Sequence, residues 1–191
     1  MKVDLNADVG ESYGRYTLGL DEELIPLISS ANIACGFHAG DPVVLEKTVG
    51  ICEKAGTAIG AHPGFPDLQG FGRRNMNLSV KEVKAMMLYQ IGAVDAFLHK
   101  NGGKLQHVKP HGALYNMAAK EESLAKAICE AVLEYDKSLI VLAQSSGALY
   151  KEAVKLGLPA RAEVFIDRAY EEDGSLVARS KEWAMITDEN L

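Results

Sequence analysis

Ser30–His62 reads SANIACGFHAGDPVVLEKTVGICEKAGTAIGAH. Its first part, Ser30–Cys35, is a short apolar run of strand length. Asp41 is a candidate helix N-cap. Pro42 follows at the first helical position, where its missing N–H costs nothing. The amphipathic stretch then runs to Ala55, and Gly56 stops it. A second apolar run, Thr57–Ala61, begins at once. Strand, helix and strand in about 30 residues make a βαβ unit, since parallel neighbours need a crossover helix.

The same alternation continues in both directions. Further apolar runs are Val3–Ala7, Leu105–Val108, Leu139–Ala143 and Ala162–Ile166. Between them lie a weak helical stretch at Glu22–Ile28 and a long one opened by Ser79-Val-Lys-Glu82. The latter is a capping box, in which hydroxyl and carboxylate each satisfy an otherwise orphaned N–H. It runs to about Lys100 and ends at Asn101. Two more helices are expected over Ser123–Leu133 and Ala148–Leu156, the last stopped by Gly157-Leu-Pro159. The fold class is therefore α/β with a parallel sheet, either doubly wound or β/α-barrel-like. One domain is expected over residues 1–191. The longest irregular stretch, Pro63–Leu78, is rich in Gly, Pro, Asn and Arg. Loops of that length in compact domains usually carry function.

Composition narrows the function classes. Twenty Lys and Arg against 26 Asp and Glu give a formal net charge of −6, a poor balance for neutralising nucleic-acid phosphates. No 18-residue apolar run occurs, and MKVDLNADVG carries acids where a signal peptide needs an apolar stretch. A cytoplasmic protein that neither spans nor binds a membrane is expected. The three cysteines, Cys35, Cys52 and Cys129, include no CxxC pair, which argues against a disulfide framework or a structural zinc site. They are expected to be buried, inert thiols.

Ionisable residues gather just after the apolar runs: Asp8, Glu11 and Ser12, then His38 and Asp41, then His62, Asp67, Arg73 and Arg74, then Lys109 and His111, then Asp167 and Arg168. In parallel β/α folds the carboxyl ends of the strands share one rim, so these side chains are expected to meet in one cleft. Asp4, Asn6 and Asp8 alternate and so share a strand face. Three polar groups there are expensive to bury without partners, which favours a functional role for Asn6 and Asp8. Asp41 reads first as a helix cap. Pro63 forces His62 into an extended conformation, and His111 sits between Pro110 and Gly112. His99 and His107 read as bystanders. Arg73 and Arg74 are either a solvated turn or a fork for an anionic group. No P-loop, dinucleotide fingerprint or nucleophile elbow is present. Imidazoles, carboxylates and cations together suit hydrolysis at a carbonyl or phosphoryl centre. They could work through a divalent metal, or directly as acid, base and charge stabilisers. No metal-ligand spacing forces the first, and the metal-free version ranks slightly ahead.

DLNADVGES (4–12), SANIACGFHAGD (30–41), GAHPGFPDLQGFGRR (60–74), HVKPHGALYN (107–116) and EVFIDRAY (163–170) together resemble the LamB/YcsF family, in order and over nearly the whole chain. The resemblance implies a barrel-like β/α fold of the seven-stranded, deacetylase-like type. It also implies ATP-dependent opening of the 5-oxoproline lactam to L-glutamate, with two partner subunits, B and C, of a 5-oxoprolinase. On that basis Asp8, Glu11 or Asp41 would hold the attacking water or a Mg²⁺. His38, His62 and His111 would move protons. Asn6, Arg73, Arg74, Lys109 and Arg168 would bind substrate or phosphate. Family members usually continue past the last motif, so a barrel lacking its C-terminal part is expected, with six strand candidates where seven or eight close a barrel. An open edge would need a cover, for which another protomer is one candidate. Two competing readings remain. One is a stand-alone metal-dependent deacetylase or amidohydrolase with Asp8, His38 and His62 as a metal triad. The other is a non-catalytic lactam-binding subunit.

Overall fold

The computed structural model describes residues 3–187. Six strands form one sheet in sequential order: β1 (Asn6–Val9), β2 (Ser30–Ala34), β3 (Ala58–His62), β4 (His107–Val108), β5 (Ile140–Gln144) and β6 (Ala160–Glu163). Every pairing is parallel. The crossovers carry α1 (Asp21–Leu24) with a 3₁₀ turn at Ile25–Leu27, α2 (Pro42–Ala55), α3 (Val80–Lys100), α4 (Gly112–Ala118), α5 (Glu122–Tyr135) and α6 (Ala148–Lys155). Sequential order with right-handed crossovers puts every helix on one side of the sheet. The barrel-like α/β architecture read from the sequence is borne out, with six strands among the described residues.

The sheet is curled. Laid flat, five interstrand spacings would separate the two edge strands by about 24 Å. Instead Lys109 Nζ, just past β4, lies 3.1 Å from Asp8 Oδ1 on β1 and 2.8 Å from Glu163 Oε1 on β6. Both edges thus converge on one ammonium group.

Strand parity separates the two faces. Val9, Ala31, Ile33, Ile59, Ala61, Val108, Val141 and Ala143 face the helices and are fully buried in the core. There α2 packs on β2 and β3, α3 on β3, and α6 on β5 and β6. The alternate positions, including Asn6, Asp8, Asn32, His107 and Glu163, line the concave face. Gly60 belongs to that face because a Cβ there would overlap the imidazole of His107.

The helix ends read from the sequence are present. Asp41 caps α2, accepting from Val43 N at 2.9 Å and Val44 N at 3.3 Å, and Gly56 closes it at φ 72°. Ser79 and Glu82 form the expected capping box of α3. β2, β3 and β5 fall within a residue of the apolar runs and β4 is only His107–Val108 of Leu105–Val108, while the two edge strands differ most. β1 is Asn6–Val9 rather than Val3–Ala7, and Val3 and Leu5 are exposed. β6 is Ala160–Glu163 rather than Ala162–Ile166, with Val164 and Ile166 exposed. In both places pairing with the neighbouring strand, not hydrophobicity, sets the limits. The short helix α4 has no side-chain cap and no warning in the sequence. Among the described residues no helix is long and apolar enough to cross a membrane. All three cysteines are buried and free. Burial pushes the Cys35 thiol far up and the Cys52 and Cys129 thiols up to about 12, so none is a ready nucleophile.

Candidate active site

The carboxyl ends of β1 to β4 bring together a histidine–carboxylate cluster. His62 ends β3, and His111 precedes α4. His38 lies in the loop after β2, and Glu11 in the loop after β1. His38, His62 and His111 are almost wholly buried. His111 Nδ1 is 3.0 Å from His62 Nε2. Glu11 Oε1 is 3.1 Å from His38 Nε2 and 3.5 Å from His111 Nδ1. Asp8 Oδ2 is 3.3 Å from His62 Nε2. The His38 and His111 rings stack at 3.7 Å with an interplanar angle of 2°.

The Pro63–Leu78 loop shapes this cluster from above. Phe71, at φ 54°, and Gly72, at φ 64°, both adopt the left-handed conformation. That region is unusual for phenylalanine. It aims the Phe71 carbonyl at His111 Nε2, which donates to it at 2.8 Å. At Gly72 a side chain would collide with His111 and His38. Gln90 of α3 steadies the loop, accepting from Gly64 N at 2.9 Å and donating to Gly64 O at 3.0 Å.

Beside the histidines lies a polar chain across the concave face. Asn32 Nδ2 donates to Asn6 Oδ1 at 2.7 Å and to Asp8 Oδ1 at 2.9 Å. Lys109 Nζ joins Asp8, Glu163 and, at 3.3 Å, Asn6 Oδ1. The Tyr115 hydroxyl donates to Glu163 Oε2 at 2.9 Å. His107 Nε2 pairs with Asn32 Oδ1 at 2.8 Å. A cavity of about 300 Å³ opens next to this chain, lined by Asp8, His62, Lys109, His111, Tyr115, Phe165, Arg73, Arg168 and Arg179 among others.

The electrostatics follow from burial and pairing. Burial alone would raise the Asp8 carboxyl, but His62 and Lys109 outweigh it and hold it well below the usual carboxylate range. Burial raises the Glu11 carboxyl, with His62 opposing and Asp8 adding. Burial, reinforced by His62, pushes His38 well down and His111 to about 3, and burial with Lys109 takes His107 to about 3. Burial would strip Lys109 of its proton, yet Asp8 and Glu163 raise its pKa above the ordinary lysine value. Two neighbouring carboxyls pushed in opposite directions form a pattern suited to acid–base work.

The structure brings together Asn6, Asp8, Glu11, His38, His62, Lys109 and His111. It sets two expected site residues, Asp41 and Arg74, apart, and it puts Arg73 and Arg168 at the cavity. Asp41 is occupied as the α2 cap, and its other oxygen accepts from Gly14 N at 2.7 Å. Arg74 is tied to Asp67, whose carboxyl it holds at about 2. Arg168 reaches the cavity wall with its donors on backbone, at 2.6 Å to Val177 O and 3.2 Å to Ala184 O. Arg73 faces the cavity from above, 5.2 Å over the Phe71 ring. The expected Asp8–His38–His62 triad does not form as a unit, because His38 pairs with Glu11 instead. Asn32, Tyr115 and Glu163 join the site without having been expected there, and His107 is a member of the polar chain rather than a bystander. Asn32 carries a signal: it is a polar residue inside the apolar run Ser30–Cys35 with the same strand parity as the acids of β1.

The fold and site define a curled parallel β/α protein with a histidine–carboxylate cluster and an adjoining cavity at the strand ends. The chain belongs to the LamB/YcsF family, whose profile matches residues 3–191. It is similar to the A-subunit of 5-oxoprolinase from Clostridium beijerinckii, 64% identical over 190 residues, covering 100% of this chain and 74% of that protein. The corresponding 5-oxoprolinase A-subunit of Pyrococcus abyssi is 55% identical over 188 residues, covering 98% of this chain and 74% of that one. Among solved structures, the crystal structure of the lactam utilization protein from Thermus thermophilus superposes with a TM-score of 0.94 at 52% identity. That match covers 98% of this chain and 76% of the other.

Proposed function

We propose that this chain is one component of an ATP-dependent 5-oxoprolinase, acting with subunits B and C to open the 5-oxoproline lactam to L-glutamate. The observation that carries this reading is the convergence of Asp8, His62, Lys109 and His111 on one cavity, with Glu11 against His111, in a chain so similar to the 5-oxoprolinase A-subunits. A lactam is a poor electrophile until its amide resonance is broken. Phosphorylation of the amide oxygen by ATP would do that. Water then adds to the former carbonyl carbon, the carbon–nitrogen bond breaks, and the ring nitrogen takes a proton. A second water releases phosphate and leaves glutamate.

This chain's part lies in the hydrolytic half. Glu11, raised by burial, is the group suited to take a proton from the attacking water and return it to the leaving nitrogen. Glu11 lies 3.5 Å from His111, which lines the cavity together with His62. Lys109 supplies fixed positive charge for an oxyanion, and Arg73 is free to meet an anionic substituent. A Mg²⁺-bound triphosphate calls for oxygen donors, whereas the cluster offers three imidazoles and one carboxylate. No nucleotide step is therefore placed on these residues, and the phosphorylation is assigned to the assembled complex.

The test is reconstitution. The chain mixed with subunits B and C should release glutamate and ADP from 5-oxoproline and ATP, and Glu11→Gln should abolish glutamate release. Equal turnover without this chain, or with the Glu11→Gln variant, would refute the assignment.

A further inference from the structure

We infer that Glu11, His38, His62 and His111 form a binding site for one divalent transition-metal ion. The positions of the ring protons follow from their acceptors. His62 Nδ1 lies 2.6 Å from the Lys109 carbonyl oxygen, and His111 Nε2 lies 2.8 Å from that of Phe71. A carbonyl only accepts, so both of these nitrogens carry hydrogen. In the neutral rings His62 Nε2 and His111 Nδ1 are then lone pairs, and they face each other at 3.0 Å. Asp8 Oδ2 and Glu11 Oε1, at 3.3 Å and 3.5 Å from these nitrogens, add two more acceptors. The centre of the cluster is acceptor-rich and calls for a positive charge.

A proton on His62 would serve the His62–His111 pair alone. A metal ion serves the whole cluster, because one donor atom from each of the four residues lies within 4.8 Å of all the others. The anchoring of the outer nitrogens of His62 and His111 on backbone carbonyls is the arrangement that orients metal-ligating imidazoles and fixes their tautomers. His38 reaches the cluster through Nε2, 3.1 Å from Glu11 Oε1, and its Nδ1 is buried without a partner, an orphan that hydrogen bonding inside the chain does not account for. Three nitrogens and one carboxylate oxygen select zinc, cobalt, manganese or iron over magnesium or calcium.

The metal site shares Glu11, His62 and His111 with the lactam reading but is tested without turnover, so that either can fail alone. The chelator-treated chain is titrated with Co²⁺ and followed by visible absorption and calorimetry. One equivalent should bind, with the ligand-field bands of a low-coordinate site, and Zn²⁺ should displace it. His62→Ala and His111→Ala should each weaken Co²⁺ binding by on the order of 100-fold or more, while His99→Ala on α3 leaves it unchanged. Nitrogen-15 NMR of the unsubstituted chain needs no variant to fold: Zn²⁺ should shift His62 Nε2 and His111 Nδ1 and leave their partner nitrogens protonated. Absence of stoichiometric binding, or an imidazolium signal from His62 that Zn²⁺ does not remove, would overturn the metal site. So would binding that survives both alanine substitutions.

Discussion

The two faces of this sheet are made from alternate residues of the same strands, and different physics holds each. The helix-clad face is Val, Ile and Ala, buried without regard to partner identity. The concave face is Asn, Asp, His, Lys and Glu, where almost every buried polar atom has a named partner. Burial of apolar area is non-directional, so one aliphatic residue can replace another at modest cost. A paired charge is not interchangeable, because removing one member strands the other. The outer face therefore holds the fold together, while the inner face fixes which side chains meet.

The largest effect should come from breaking the inner face. Lys109→Met removes the buried ammonium that Asp8 and Glu163 share and leaves the buried Glu163 carboxylate without a cation. A loss of about 3–5 kcal/mol is expected in chemical denaturation, together with loss of glutamate release in the assembled enzyme. Unchanged stability would show that the two edge strands do not depend on this ammonium group. On the outer face, Ile33→Ala on β2 removes fully buried aliphatic volume. It should cost about 3 kcal/mol, yet activity per folded molecule should remain. A comparable fall in activity would show that the faces are not separable.

Acidification between pH 7 and 5 probes the buried imidazoles of the inner face. His38, His107 and His111 are neutral when folded and have depressed pKa values. Below about pH 6.5 the unfolded chain binds protons that the folded chain refuses, so stability falls as pH drops towards 3. Asp8 acts in the same sense: its pKa is depressed, and its stabilising charge is lost as pH falls through its folded value. A loss of about 2 kcal/mol for each strongly depressed imidazole by pH 5 should add up to a drop of roughly ten degrees or more in Tm. A flat profile between pH 7 and 5 would mean that these imidazoles titrate alike in the folded and unfolded chains, and a rise towards pH 5 that they are already charged when folded. The smallest effect belongs to a residue on neither face. Asp41→Ala should cost about 1 kcal/mol through the lost α2 cap and leave kcat unchanged. A large fall in kcat would restore Asp41 to the catalytic set.

The sequence made some of this legible and hid the rest, for local reasons. Asp41-Pro42, Gly56 and the Ser79–Glu82 box announced their helix ends because capping is settled within four residues. The alternation Asn6, Asp8 marked a polar strand face for the same reason. Arg74 could not be told from Arg73 in the chain. Only the loop's path gives the first to Asp67 and turns the second to the cavity. Glu163 offered no sign of being a lysine partner, since Lys109 stands far from it along the chain.

By itself, then, the sequence determined the parallel β/α order, the capped limits of α2 and α3, and most of the ionisable residues at the strand ends. Each of these is fixed by interactions between near neighbours in the chain. Tertiary structure alone decided how far the sheet curls. With that it decided that β1 and β6 share one lysine, that Glu11 rather than Asp8 reaches both His38 and His111, and that His62 Nε2 and His111 Nδ1 face each other. These outcomes depend on strand register and curvature, which sum over the whole sheet and are encoded at no single position.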